Sequence, residues 1–264
     1  MMDASKACLF IPPGLAGFKQ RLFGRIGQKV GRYILHDHNK LDALPEDIVP
    51  VVGCSPQLKP LIAKWRENGR KWIYWDRGYF RRVFATDLPT GSDGGMYRWH
   101  INTFQMNEIR DVPDDRWLAA KTELWPWQEN GDHIVVAKPS QTYEKFHGIE
   151  SWTEQTIEKL KKLTKRSLVV RDKEMQRFGP KLHEHLKGAH ALVTHGSNAA
   201  VEAVIMGCPV FVHPDSAAAL VGLTDLNEIE RPIYPDRLPW VKSLSYNQFD
   251  ENELVNGKLW RLIN

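Results

Sequence analysis

The hydrophobic pattern of this 264-residue chain falls into two successive runs of alternating strand and helix signals. In the first, residues 8–11 form a short apolar strand that ends at Pro12, Pro13 and Gly14. Leu15, Phe18, Leu22, Ile26, Val30 and Tyr33 then recur at three- and four-residue spacing, which predicts an amphipathic helix over 15–33. Gly17, Gly24, Gly27 and Gly31 weaken it, by up to ~1 kcal/mol each relative to Ala. A strand is predicted at 48–52, a helix at 56–68 stopped by Gly69, and a strand at 72–75 running into Asp76, Arg77, Gly78, Tyr79 and Phe80. Another strand follows at 97–104, and the Pro- and Asp-bearing stretch 111–131 reads as a linker.

The second run restarts the alternation. Strands are predicted at 134–137, 168–170, 191–193 and 209–212. Helices are predicted at 151–163, 180–186 and 199–206. Ser151 with Glu154 has capping-box spacing, and Gly207 stops the last helix. Two successive βα arrays imply two Rossmann-like domains.

In an open α/β sheet, ligands sit beyond the C-terminal ends of the strands. Three strand-end loops of the second run carry suitable groups: Lys138 and Ser140; Arg171 and Lys173; and His195, Gly196, Ser197 and Asn198. The last is a polar turn opening a helix of small residues, where unpaired backbone N–H groups and the helix dipole favour a phosphate. Ser and Asn are also ordinary helix N-caps, so the turn has a purely structural reading as well. Glu202 stands one helical turn beyond Asn198, within reach of a ribose hydroxyl in that arrangement. In the first run, Asp76 ends a strand, where a carboxylate can serve as general base or simply pair with a neighbouring Arg; His100 and His195 are alternative bases. His36, Asp37 and His38 lack a third ligand at useful spacing and read as a polar loop, so no metal site is predicted.

The run Glu202, Ala203, Val204, Ile205, Met206, Gly207, Cys208, Pro209, Val210, placed after the His/Gly/Ser turn, resembles the nucleotide-sugar-binding segment of GT-B glycosyltransferases. Nearly end to end, the chain is similar to small phage-encoded GT-B-like glycosyltransferases that decorate hydroxymethylated pyrimidines in DNA. The marks are Asp76 to Arg81, the strand from Tyr97 through His100 to Asn102, the segment from His195 to Pro209, and a tail with Leu223 to Leu226, Pro235 to Arg237, Trp240, Leu244 to Phe249 and Trp260 to Leu262. The resemblance implies an α/β, GT-B-like fold of two Rossmann-like domains facing a cleft. Residues 1–130 would be the acceptor side, and 131–264 the nucleotide-sugar domain with its tail packing back on the first. Lys138, Ser140, Arg171, His195, Gly196, Ser197, Asn198 and Glu202 would hold a nucleotide-diphosphate sugar, most simply a UDP-sugar, with no obligatory metal. Asp76 and His100 would be catalytic, and the acceptor would be a 5-hydroxymethylpyrimidine such as hydroxymethylcytosine. The chain is shorter than typical GT-B enzymes, which leaves the acceptor open to a polysaccharide or small molecule. It also leaves open a non-catalytic nucleotide- or DNA-binding module on the same scaffold.

Charge adds one argument. The net +4 is uneven: residues 1–82 carry 15 Lys+Arg against 7 Asp+Glu, residues 83–130 carry 4 against 8, and the rest balance. A basic first third fits a polyanionic partner such as double-stranded DNA, with Arg21, Arg25, Arg32, Arg77, Arg81 and Arg82 as candidate phosphate contacts. No apolar run approaches the roughly 20 residues of a membrane span, and the first residues do not read as a secretory leader. Cys8, Cys54 and Cys208 lie apart beside apolar runs and read as buried free thiols. These features imply a cytoplasmic protein, expected to be monomeric. Ten Trp residues are many for this length, and Trp72, Trp75, Trp99, Trp125 and Trp127 are candidates to line a cleft.

Overall fold

Among the described residues of the computed structural model (6–11, 24, 33–80, 95–172 and 180–263), the strands in chain order are β1 (Ala7–Phe10), β2 (Tyr33–Leu35), β3 (Val49–Val52), β4 (Ile73–Arg77), β5 (Tyr97–Ile101), β6 (His133–Ala137), β7 (Ser167–Arg171), β8 (Ala189–Val193), β9 (Val210–Phe211) and β10 (Gln248–Phe249). The helices that matter here are α1 (Lys59–Glu67), α2 (Gln141–His147), α3 (Trp152–Leu163), α4 (Leu182–Leu186) and α5 (Asn198–Ile205). The chain divides into two units, the first made of 1–104 with 244–264 and the second of 105–243.

Unit 1 is built on a six-stranded sheet of order β10-β5-β4-β3-β1-β2. The pairs β1–β2, β1–β3 and β3–β4 are parallel, whereas β4–β5 and β5–β10 are antiparallel. The strands are apolar because helices and tail cover them: Leu9, Val51, Ile73, Trp75, Trp99 and Phe249 join Leu254, Leu259 and Trp260 in one core. Trp99 and Trp260 meet edge to face at 5.9 Å. On the opposite face, side-chain alternation places Tyr74 and Asp76 across from His100 and Arg98.

Unit 2 has a four-stranded, all-parallel sheet of order β7-β6-β8-β9. Its inner strands β6 and β8, with β9, are buried as a sheet covered on both faces requires, whereas the edge strand β7 is partly exposed; Ile134, Val136, Ala191, Val193 and Phe211 pack with Leu160 of α3 and Ile229. The parallel strands of both units share one plan, in which the second lies on one side of the first and the third and fourth on the other. That is the flavodoxin-like order, with a topological switch point between first and third strands. The fold is therefore mixed α/β with two Rossmann-like units.

Several expectations change. The predicted helix over 15–33 lies outside the described residues except for Gly24, which is helical, and Tyr33, which opens β2 instead. The capping box at Ser151 does not form: its Oγ accepts from Gln155 Nε2 at 2.9 Å and caps no backbone N–H of α3. The backbone there (φ −102°, ψ 9°) is not the extended form an N-cap side chain needs. Trp72, Trp75 and Trp99 are buried core residues rather than cleft lining, whereas Trp125 is 51% exposed. Cys54 is only half-buried, while Cys8 and Cys208 are buried free thiols. The stretch 111–131 is built into unit 2, with Trp125 N–H bonded to Ile205 and Gln128 N–H to Gly207. No helix among the described residues is long and apolar enough to cross a membrane.

Candidate functional site

The switch point of unit 2 lies between β6 and β8. Thr194 Oγ1, at the end of β8, donates to the Ala137 carbonyl at the end of β6 at 2.8 Å, tying the two strand ends together. Beyond β6 the chain passes exposed Lys138 to Ser140, which caps α2 by accepting from Tyr143 N–H at 3.3 Å. Beyond β8 it passes His195 and Gly196 to Ser197, which caps α5 by accepting from Ala199 N–H at 3.2 Å. Two helix N-termini therefore open at the same edge of the sheet, where their dipoles favour negative charge.

The turn before α5 is tightly held. Gly196 has no side chain because a Cβ there would overlap Tyr143 Oη. Its carbonyl accepts from Gln105 Nε2 at 2.8 Å. Tyr143 Oη hydrogen-bonds to His195 Nδ1 at 3.1 Å, and the His195 ring stacks on that of His213 with centroids 4.2 Å apart and planes 12° from parallel. His147, one turn after Tyr143 on α2, lies 5.7 Å from His195, and Trp152 meets it edge-on at 6.0 Å. Burial, reinforced by His213 and His147, pushes His195 down to about 4. At neutral pH its imidazole is therefore uncharged.

Arg171 ends β7 and is 5% exposed, and its Nε has no hydrogen-bond partner among the described residues. Burial lowers its pKa, opposed by the carboxylates of Glu202 and Asp172, and it stays cationic. A buried charge with incomplete pairing costs several kcal/mol of solvation, about 3–5 where a partner has been removed, so the position favours an anion. The electrostatic coupling puts Glu202 of α5, itself exposed, near Arg171.

The structure thus brings Ser140, His195, Gly196 and Ser197 to one edge of unit 2, with Asn198 and Glu202 on the helix that follows and Lys138 and Arg171 on adjoining strand ends. Sequence reasoning missed Tyr143, His147, His213 and Gln105. His213 was accessible to the strand-end rule, since it stands just past β9; the other three reach the turn only through tertiary packing. Among the described residues no group of three or more His, Cys, Asp or Glu side chains is placed to hold a metal ion.

In unit 1, Asp76 is half-buried and both carboxylate oxygens are engaged. Oδ2 accepts from Arg98 and from Tyr74 Oη, each at 3.2 Å, and Oδ1 from Arg77 N–H at 2.8 Å. Arg98, on the neighbouring strand β5, is thus an ion-pair partner of Asp76. Burial and the nearby Asp76 charge raise the Tyr74 hydroxyl well above its usual value. His100 is buried, and its Nε2 hydrogen-bonds to Tyr79 Oη at 2.7 Å. Arg77 is exposed with its guanidinium 5.4 Å from the Tyr97 ring. Arg21, Arg25, Arg32, Arg81, Arg82 and Lys173 lie outside the described residues.

No family model and no curated protein matches the chain. Among solved structures, Thermosulfurimonas dismutans KpsC, beta Kdo 2,7 transferase, aligns at 14% identity with a TM-score of 0.48, covering 97% of this chain and 99% of that one. Thermosulfurimonas dismutans KpsC, beta Kdo 2,4 transferase, aligns at 10% identity with a TM-score of 0.49, covering 94% and 98%.

Proposed function

We propose that the chain is a glycosyltransferase that uses a nucleotide-diphosphate sugar. The observation that carries this reading is the pairing, in one parallel sheet, of a helix N-terminus at the switch point with a buried, incompletely paired guanidinium at the next strand end but one. Diphosphate is the anion such an arrangement suits: one phosphate on the N–H groups of the α5 turn, the other on Arg171, with Lys138 at the rim. Glu202 then serves a ribose hydroxyl, and UDP is the nucleotide we assign. The GT-B-like sequence run from Glu202 to Val210 supports the same reading.

In the proposed reaction an acceptor hydroxyl attacks the anomeric carbon. The bond to the diphosphate oxygen breaks, and the charge developing on that oxygen is stabilised by oriented N–H dipoles and Arg171 without an obligatory metal. Asp76 and His100 are the candidate bases for the hydroxyl proton. Of the pair, the base is the one whose variant, Asp76→Asn or His100→Ala, loses about 10²–10⁴ in kcat while nucleotide affinity holds.

For the acceptor we propose a 5-hydroxymethylpyrimidine in double-stranded DNA, on the strength of the basic first third of the chain and the phage-type resemblance. Mass analysis of nucleosides tests this: DNA containing 5-hydroxymethylcytosine is incubated with the protein and a panel of nucleotide sugars. A gain of one hexose or pentose on the nucleoside is expected. No gain with any donor, while UDP still binds, would move the acceptor to a polysaccharide or small molecule and remove DNA from the account.

A further inference from the structure

Gln105 is 4% exposed, and both ends of its amide are used. Nε2 donates to the Gly196 carbonyl at 2.8 Å, and Oε1 accepts from Ala217 N–H at 3.0 Å. Ala217 opens a short 3-10 helix, Ala217–Leu220. These two bonds fix which end of the amide is nitrogen, because a carbonyl can only accept and an N–H can only donate.

The Gly196 carbonyl belongs to the same planar peptide unit as Ser197 N–H. No cis peptide bond occurs among the described residues, so the two groups point in opposite directions. Holding the carbonyl toward Gln105 therefore turns Ser197 N–H away from it, and no protein acceptor takes that N–H among the described residues. Tyr143 Oη and Gln105 Nε2 both close on the position a Gly196 Cβ would take. The peptide between Gly196 and Ser197 is the one most able to flip, since Gly196 has no Cβ to restrict it.

We infer that Gln105 is the positioning residue of the anion-binding turn. By hydrogen-bonding the Gly196 carbonyl it sets the direction of the Ser197 N–H that would meet the donor's diphosphate. This rests on the diphosphate assignment above, and Gln105 itself touches no reacting atom. Loss of the amide donor should weaken UDP binding roughly 10- to 100-fold, the range for one hydrogen bond to a charged group.

Gln105→Met is the discriminating variant, because it keeps the length of the side chain and removes the donor without adding charge beside the turn. UDP affinity of wild type, Gln105→Met and Gln105→Ala is measured by calorimetry, with the Ser197 amide of the UDP-free proteins followed by NMR. Both variants should bind UDP roughly 10- to 100-fold more weakly than wild type. The Ser197 amide signal should move in both UDP-free variants, while amides remote from the turn keep their wild-type positions. Wild-type affinity in Gln105→Met, or weakened affinity with the Ser197 amide unmoved, would overturn the inference and leave the diphosphate assignment standing. Absence of UDP binding in wild type, with the Ser197 signal still displaced in Gln105→Met, would remove the diphosphate assignment and keep Gln105 as the residue that orients the turn.

Discussion

Gly196 sits where any side chain would collide with Tyr143 Oη, and Gln105 Nε2 lies close on the same site. Gly196→Ala must displace Tyr143 and break its bond to His195, so it should destabilise the protein by about 1–3 kcal/mol in urea denaturation, the usual range for overpacking a filled site. His195 gives a pH signature. Its folded pKa, held near 4, lies below the ordinary 6.5 of an exposed imidazole. The unfolded chain therefore takes up a proton first as the pH falls. The His195 contribution is intact above about pH 6.5 and is lost progressively as the pH drops to about 4, by at most ~3 kcal/mol. Denaturation midpoints across that window should fall with pH in wild type and fall less in His195→Gln; parallel curves would count against the buried neutral imidazole. At this scale the sequence is informative where chemistry follows strand ends. Ser140, Arg171, His195 and Ser197 were legible because a polar residue after an apolar run marks the ligand edge of a parallel sheet. Gln105 and Tyr143 were not, because each matters only through the neighbour that folding supplies, 91 and 52 residues away in sequence.

Among the elements, the strap 125–128 lies in the stretch whose Pro and acidic residues read as a linker, yet Arg237, 7% exposed, donates to the carbonyls of Val204 and Trp125 and lies 3.9 Å over the Trp127 ring. Gly207, at φ +76°, ends α5 where a Cβ would overlap the Pro126 carbonyl oxygen. The strap thus anchors the far end of the helix whose N-terminus forms the candidate site. Arg237→Ala removes a donor from the Trp125 carbonyl and one of two from the Val204 carbonyl, which keeps Gly207 N–H, and should cost about 1–3 kcal/mol of stability, read from a lower thermal midpoint; an unchanged midpoint would show that the strap does not hold α5. The buried parallel strands were legible because each is a continuous apolar run. β2 and β10 were not: they are three and two residues long, and β10 is a strand only because β5 offers it an edge. The antiparallel direction of β5 was equally hidden, since periodicity records which face is buried and carries no partner or direction.

Across the whole molecule, charge and topology divide the work. The basic excess lies wholly in residues 1–82, whereas the candidate anion-binding edge among the described residues lies in unit 2. If duplex DNA is the acceptor, its affinity should fall steeply with salt, and Arg21→Glu with Arg25→Glu should lower both the affinity and the salt slope. A shallow slope in wild type would favour an uncharged acceptor. The two units repeat one strand order without a visible sequence repeat, because strand order depends on where apolar runs and crossovers fall and not on residue identity. Fold class was therefore readable from pattern, while chemistry had to come from the site. Everything proposed for the reaction depends on unit 2 binding a diphosphate through Arg171 and the α5 turn. The most direct measurement is calorimetric titration of UDP into wild type and Arg171→Ala. Wild type should bind UDP, and Arg171→Ala should bind it at least ~10-fold more weakly; equal affinity in the two proteins, or no binding by wild type, would mean that unit 2 holds no diphosphate through Arg171.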